Sequence, residues 1–257
     1  MSYSILADLY YSQGRHDLAV PQYLRAAELA PDTAQILAAV ALNYVVLEDQ
    51  QTADTYMDRA RAINPRIEYE NYWFLREGDE PRLLENSRQR LERDPEDPEL
   101  IANMGEALLF TGAYAEATDY QRRAMTLSAN PGGERVNGRN IVWAIEYSWL
   151  LAQQGQREDG ESWMREVATV MQQLESLSFS GTGIRVIELL IAAWHGETED
   201  VLDRIEALAD GGFTQIRFLE ILPLLKPWAA EPRFVAALER IRDRLAAQRE
   251  TLREQGL

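Results

Sequence analysis

The stretch YYSQGRHDLAVPQYLRAAELAP, Tyr10 to Pro31, reads as the end of one helix, a short turn and a second helix, and much of it returns 34 residues later. Tyr10 maps onto Tyr44, Ala19 onto Ala53, Ala26 onto Ala60 and Pro31 onto Pro65. A fixed period of this size marks stacked supersecondary units, each too small to bury its own apolar face. A further step of 64 carries Ala53 and Ala60 to Ala117 and Ala124, and the same steps carry Gly14 to Gly112. That step divides into a short unit of 30, Pro65 to Pro95, and one full unit of 34.

Each unit has a physical logic. In the first, Leu6, Leu9 and Tyr10 give one helix an apolar stripe at helical spacing. Gly14 stands where the chain must leave that helix, in the left-handed conformation that glycine adopts cheaply. The second helix carries Ala19, Tyr23 and Ala26 on one face, so the two axes approach closely at the alanines while Tyr23 fills the space beyond. Pro31 ends the unit, because proline cannot continue a helix. Pro21 falls inside the second helix, near enough to its start to be tolerated.

These spacings resemble the tetratricopeptide repeat, a helix–turn–helix of 34 residues. The first unit supplies Leu6, Ala7, Tyr10, Gly14, Ala19, Tyr23, Ala26 and Pro31 in register. The second keeps Val40, Ala41, Tyr44, Ala53, Met57, Ala60 and Pro65 but has Glu48 in place of the turn glycine. The fourth supplies Met104, Gly105, Leu108, Gly112, Ala117 and Ala124. The third departs: Leu83, Ser87 and Arg90 stand where alanine, an aromatic and alanine are usual, and its first helix is short, which predicts a kink near residues 66 to 97.

Beyond Pro131 and the glycine-rich NPGGERVNGRN, two more segments have the two-helix shape, with Gly155 and Gly196 at their turns. They lack the full motif and are TPR-like. The last segment differs: Pro232 suits a first helical turn, and Phe234, Leu238, Ile241 and Leu245 make an inner face. It resembles the closing segment of such arrays and is expected to cap the terminal repeat with a charged outer side. The expectation is therefore an all-α, right-handed α-solenoid over residues 1–212, with units at about 1–32, 33–66, 67–97, 98–131, 138–176 and 182–212, followed by a C-terminal capping segment at 213–257.

Composition narrows function by exclusion. A chain of 257 residues needs no staples to hold a core, and without cysteine it has no disulfide, thiolate metal site or cysteine nucleophile. The net charge of −16 disfavours nucleic acid and anionic membrane surfaces. No apolar run spans a bilayer and no secretory leader follows Met1, so a cytoplasmic protein is expected. His16 and His195 both fall at turns between paired helices, with only Glu197 and Glu199 near the latter, and are read as turn or surface histidines. NPGGERVNGRN and SFSGTGIRV (Ser178 to Val186) have neither the GxxxxGK[ST] spacing nor a preceding strand, and are read as linkers. No nucleophile elbow or zinc-protease motif occurs, so no catalytic residue, metal site or cofactor is expected.

The resemblance implies that the first helix of each unit lines a concave groove. Carried onto this chain, the groove positions are Leu42, Val45 and Val46 in the second unit, and Glu106, Leu109 and Phe110 in the fourth. In the fifth and sixth they are Ile145, Trp149, Leu190 and Trp194, with packing against neighbouring helices an equal reading for the two tryptophans. A chaperone-tail clamp does not fit, because Asp8 stands where asparagine is needed and the sole lysine is Lys226. The expected function is a protein-interaction scaffold for an apolar or basic peptide or helix. A regulatory module serving a DNA-binding, cyclase or kinase effector is the alternative, and a homodimer through an uncovered solenoid end is a further expectation.

Overall fold

The computed structural model describes residues 3–65, 67, 78, 80–179 and 181–257, all helices and connections without a strand among them. The first hairpin is α1 (Tyr3–Ser12) and α2 (His16–Leu29), and the second is α3 (Ala34–Val46) and α4 (Gln50–Ile63). The expected third unit contributes α5 (Glu80–Arg93); its first half, with the predicted kink, lies outside the described residues. The remaining hairpins are α6 (Pro98–Phe110) with α7 (Tyr114–Ser128), α8 (Ile141–Gln153) with α9 (Arg157–Ser176), and α10 (Thr182–His195) with α11 (Thr198–Asp210). A short α12 (Ile216–Ile221), a 3₁₀ segment (Pro223–Trp228) and the long α13 (Pro232–Glu254) complete the chain.

Packing follows the alanine pattern. Ala19, Ala53, Ala117 and Ala124 are fully buried, and the partners of each hairpin pack along their length with successive hairpins stacked. Gly14 turns at φ 68°, as does Gly112 at 81°. At the matching place in the second unit Glu48 holds φ 61°, a conformation that a side chain disfavours by roughly 1–2 kcal/mol. The missing glycine changed the strain at this turn and not its path.

The C-terminal segment does more than cover the last repeat. Its α13 packs on α11, where Arg233 bonds Glu199, Asp203 and Glu206, and its far end reaches α2 of the first hairpin. There three side chains satisfy backbone groups at the ends of other helices. Arg15, at the start of α2, makes no side-chain cap; instead the Gln248 carboxamide accepts from the N–H groups of His16 at 2.7 Å and Asp17 at 3.2 Å, and donates to Gly14 O at 2.9 Å. Arg249 donates to Leu47 O and Glu48 O at the end of α3, at 3.0 and 3.3 Å. Arg244 donates to Ala209 O in the last turn of α11 and to Phe213 O beyond it, at 2.6 and 2.5 Å. The solenoid thus closes, with one helix tying its last repeat to its first two.

Candidate functional site

Two regions along the first helices of the hairpins differ. Between α1 and α3 lies an open pocket of about 400 Å³ walled by Tyr11, Ala38, Ala39 and Leu42, with Met57 and Ile67 beside them. Alanines at 38 and 39 leave the space; longer residues there would fill it. Its polar groups are Asp8, Gln35 and Asn43, and the Asp8 carboxylate accepts from Tyr23 OH. The pocket therefore offers an apolar slot with one anionic group at its edge.

Farther along, the chain covers its own inner surface. Phe218 of α12 meets Phe110 edge to face, with ring centroids 6.3 Å apart, and the 3₁₀ segment packs on α10. Ile216, Leu219, Leu222 and Leu225 are buried there. A smaller cavity of about 380 Å³ remains where Tyr11 and Gly14 approach Ile141, Val142, Ile187 and Phe213.

Of the groove positions carried over from the resemblance, Leu42 lines the open pocket. Phe110 is half-buried under Phe218, Glu106 is half-buried, and Trp149 is half-buried edge-on to Tyr114 at 5.2 Å. Val45, Val46, Leu109, Ile145 and Leu190 are buried in the core, so in this closed form they support the inner wall without forming its surface. Trp194 is buried over Gly160, where an added Cβ would stand 2.9 Å from the ring, with the Arg157 guanidinium 5.2 Å from the indole centroid. A helical face steps by about 100° per residue, so groove-facing and seam-facing positions are neighbours in sequence.

Two buried polar clusters were not legible as such. In one, His16 is wholly buried between α1, α3 and α13. Asn43 donates through Nδ2 to Ala39 O, so its Oδ1 accepts from His16 Nδ1–H at 2.8 Å and leaves the Nε2 lone pair without a partner. Burial holds this imidazole neutral, with its pKa lowered to about 4. His195 is exposed at the end of α10.

In the other, Gln121 of α7 donates through Nε2 to Glu146 Oε2 of α8 at 2.9 Å, deep between two hairpins. Gln121 Oε1 and Glu146 Oε1 are both buried and unpartnered. A proton on Glu146 Oε1 gives one a donor and the other an acceptor, a carboxylic acid–amide pair. Desolvation first, and the nearby Glu106 carboxylate second, raise the Glu146 pKa well above the usual carboxylate range, while desolvation moves Glu106 to about 7. Neither cluster offers a nucleophile with an adjacent base, and no group of three or more metal-ligating side chains converges among the described residues.

The glycine-rich loop before α8 is ordered by Asn140, which accepts from Asn137 N–H at 2.8 Å and donates to Ser128 Oγ and Arg135 O. Arg135 of the same loop reaches out to Glu166 of α9, with its Nε donating at 2.8 Å.

A family model described as tetratricopeptide repeat matches residues 2–33, the first hairpin. Among solved structures, that reported under functional characterization of PilF from Pseudomonas aeruginosa aligns with a TM-score of 0.53 and 16% identity, over 89% of this chain and 96% of that one. The crystal structure of MamA protein aligns with a TM-score of 0.42 and 10% identity, over 69% of this chain and 94% of that one, too loosely to carry an argument. No curated protein sequence matches the chain. Stacked helical hairpins define a helical-repeat solenoid, a class that serves in general as protein–protein interaction scaffolding. Within that class, residues 2–33 match the tetratricopeptide repeat, and the chain as a whole shares the fold of the PilF structure. No helix among the described residues is long and apolar enough to cross a membrane.

Proposed function

We propose that this protein is a non-enzymatic scaffold that holds a short segment of a partner protein on its inner surface, anchored in the pocket between α1 and α3. The observation that carries this reading is the pocket itself: apolar walls at Tyr11, Ala38, Ala39 and Leu42, with the Asp8 carboxylate at the edge. An aliphatic or aromatic side chain fits the slot, and a neighbouring arginine or lysine suits Asp8 in a protein of net charge −16. The same charge argues against nucleic acid as a direct partner.

The test is selection of a displayed random-peptide library on the immobilised protein. Selected peptides are expected to carry an apolar anchor beside a basic residue. Leu42→Glu places a charge in the slot and is expected to weaken them by roughly a hundredfold, with helicity by circular dichroism unchanged. Asp8→Asn keeps an acceptor for Tyr23 and is expected to weaken only the basic peptides, by about threefold. Peptides that bind Leu42→Glu as well as the parent would refute this location.

A further inference from the structure

The seam between α13 and the first two repeats is held by side-chain bonds to backbone at the ends of distant helices. Along α11, α13 buries Phe234, Ala237, Leu238 and Ile241 and adds the Arg233 network, a broad apolar contact. Towards α2 and α3, α13 adds the polar bonds of Gln248 and Arg249 to backbone, with Leu245 and Leu252 buried beside them. The Gly14 turn touches Gly212 across this seam so closely that a Cβ on Gly14 would stand 2.0 Å from Gly212 O. At its centre sits His16, wholly buried, with Nε2 unpartnered.

We propose that α13 is a releasable clasp on the first two repeats, opened by acid, with a proton on His16 Nε2 as the trigger. The groups that face this imidazole make the argument. From its own helix comes Asp17, already bonded to Arg15 at 3.1 Å. From α1 and α3 come the neutral Tyr11 ring and the Asn43 carboxamide, whose oxygen is taken by Nδ1–H. From α13 come the neutral Gln248 and the cationic Arg244, whose Nε–H is itself buried without an acceptor. A proton on Nε2 therefore creates a buried cation near the half-buried Arg244 and a donor with nothing to receive it. The imidazole gains solvent when the clasp opens, so acid favours the open form over the interval from the ordinary histidine pKa of 6.5 down to about 4. Opening would release the first two repeats from α13, leaving the Gly14–Gly212 contact between the first and last hairpins. The broad α11 contact would keep α13 attached. The proposal stands whether or not a partner occupies the α1–α3 pocket.

The chain has no cysteine, so a single engineered pair labels cleanly. Spin labels at Gln13→Cys and Glu254→Cys, both exposed positions flanking the seam, report its width by pulsed electron resonance. Titrated from pH 7 towards about 4, the short-distance population is expected to disappear while helicity persists. His16→Gln is expected to keep it throughout that range. Arg244→Gln, which removes the neighbouring charge, is expected to move the loss to lower pH even if His16→Gln does not fold. The proposal is overturned if the labels stay close until helicity is lost, if His16→Gln opens at the parent's pH, or if Arg244→Gln opens at an unchanged or higher pH.

Discussion

Replacing Glu146 by glutamine is expected to make the protein more stable, increasingly so as the pH rises. The carboxyl is 3% exposed, bonded by Gln121 on one oxygen and unpartnered on the other. As a neutral acid it completes its pairing; as a carboxylate it places a charge in the seam between hairpins beside Glu106. Its folded pKa is raised above the unfolded value, so between the two the folded state holds the extra proton. Stability from this group is then present at low pH and falls as pH rises, by about 1.4 kcal/mol per pH unit. Glutamine has the shape of the neutral acid, and its amide can donate to the free Gln121 Oε1, so near pH 5 the substitution should be close to neutral. Across a series from pH 5.5 to 7.5 the stability gap between variant and parent, read as melting temperature, should widen by up to about 1.4 kcal/mol per pH unit while the native carboxyl stays protonated. His16 titrates in both proteins, and Glu106 interacts electrostatically with Glu146, so the difference between the two proteins reports this carboxyl pair. Thermal unfolding followed at 222 nm across that pH series is the assay. A gap that does not widen with pH, or a variant less stable at every pH, would show that Glu146 is ionised and paired in the native protein and refute the reasoning.

Two further substitutions, with a third as control, test the closed architecture. Gly14→Ala forces a Cβ against Gly212 O in a turn at φ 68°, and is expected to lower stability by roughly 3 kcal/mol in chemical denaturation. The same change at Gly112, with φ 81° and open space around it, should lower stability by only about 1 kcal/mol. Gln248→Ala strips the carboxamide from the start of α2 and is expected to remove about 1–2 kcal/mol, with faster amide exchange at His16 and Asp17 and unchanged exchange in α9.

The hairpins were legible because their information is local. Alanines at 19, 53, 117 and 124 recur at fixed steps and are all fully buried, and the turn at Gly14 follows from glycine's freedom. Glu48 shows the limit of even that logic, since the stacked repeat imposes the turn on a residue that disfavours it. The return of the chain was not legible. Gln248 bonds a backbone group 234 residues away, and no periodicity within α13 distinguishes a side chain facing solvent from one that caps a distant helix. The burial of His16 has the same origin, for α13 covers a turn that in an isolated hairpin would meet water. Leu42 and Val45 are neighbours on one helix, yet the first lines the pocket and the second lies in the core. Glu106 and Glu146, read singly, are ordinary helix glutamates until stacking brings them together.

The central claim is that partners are held at the α1–α3 pocket while the region around Phe110 is taken by the chain's own α12. A photoreactive benzoylphenylalanine in place of Leu42, and separately in place of Phe110, tests both halves at once in extracts of the source cells at neutral pH. The account predicts partner-derived peptides crosslinked from position 42, and from position 110 only intramolecular products near Phe218. Partner crosslinks arising from position 110, or none from position 42, would contradict it.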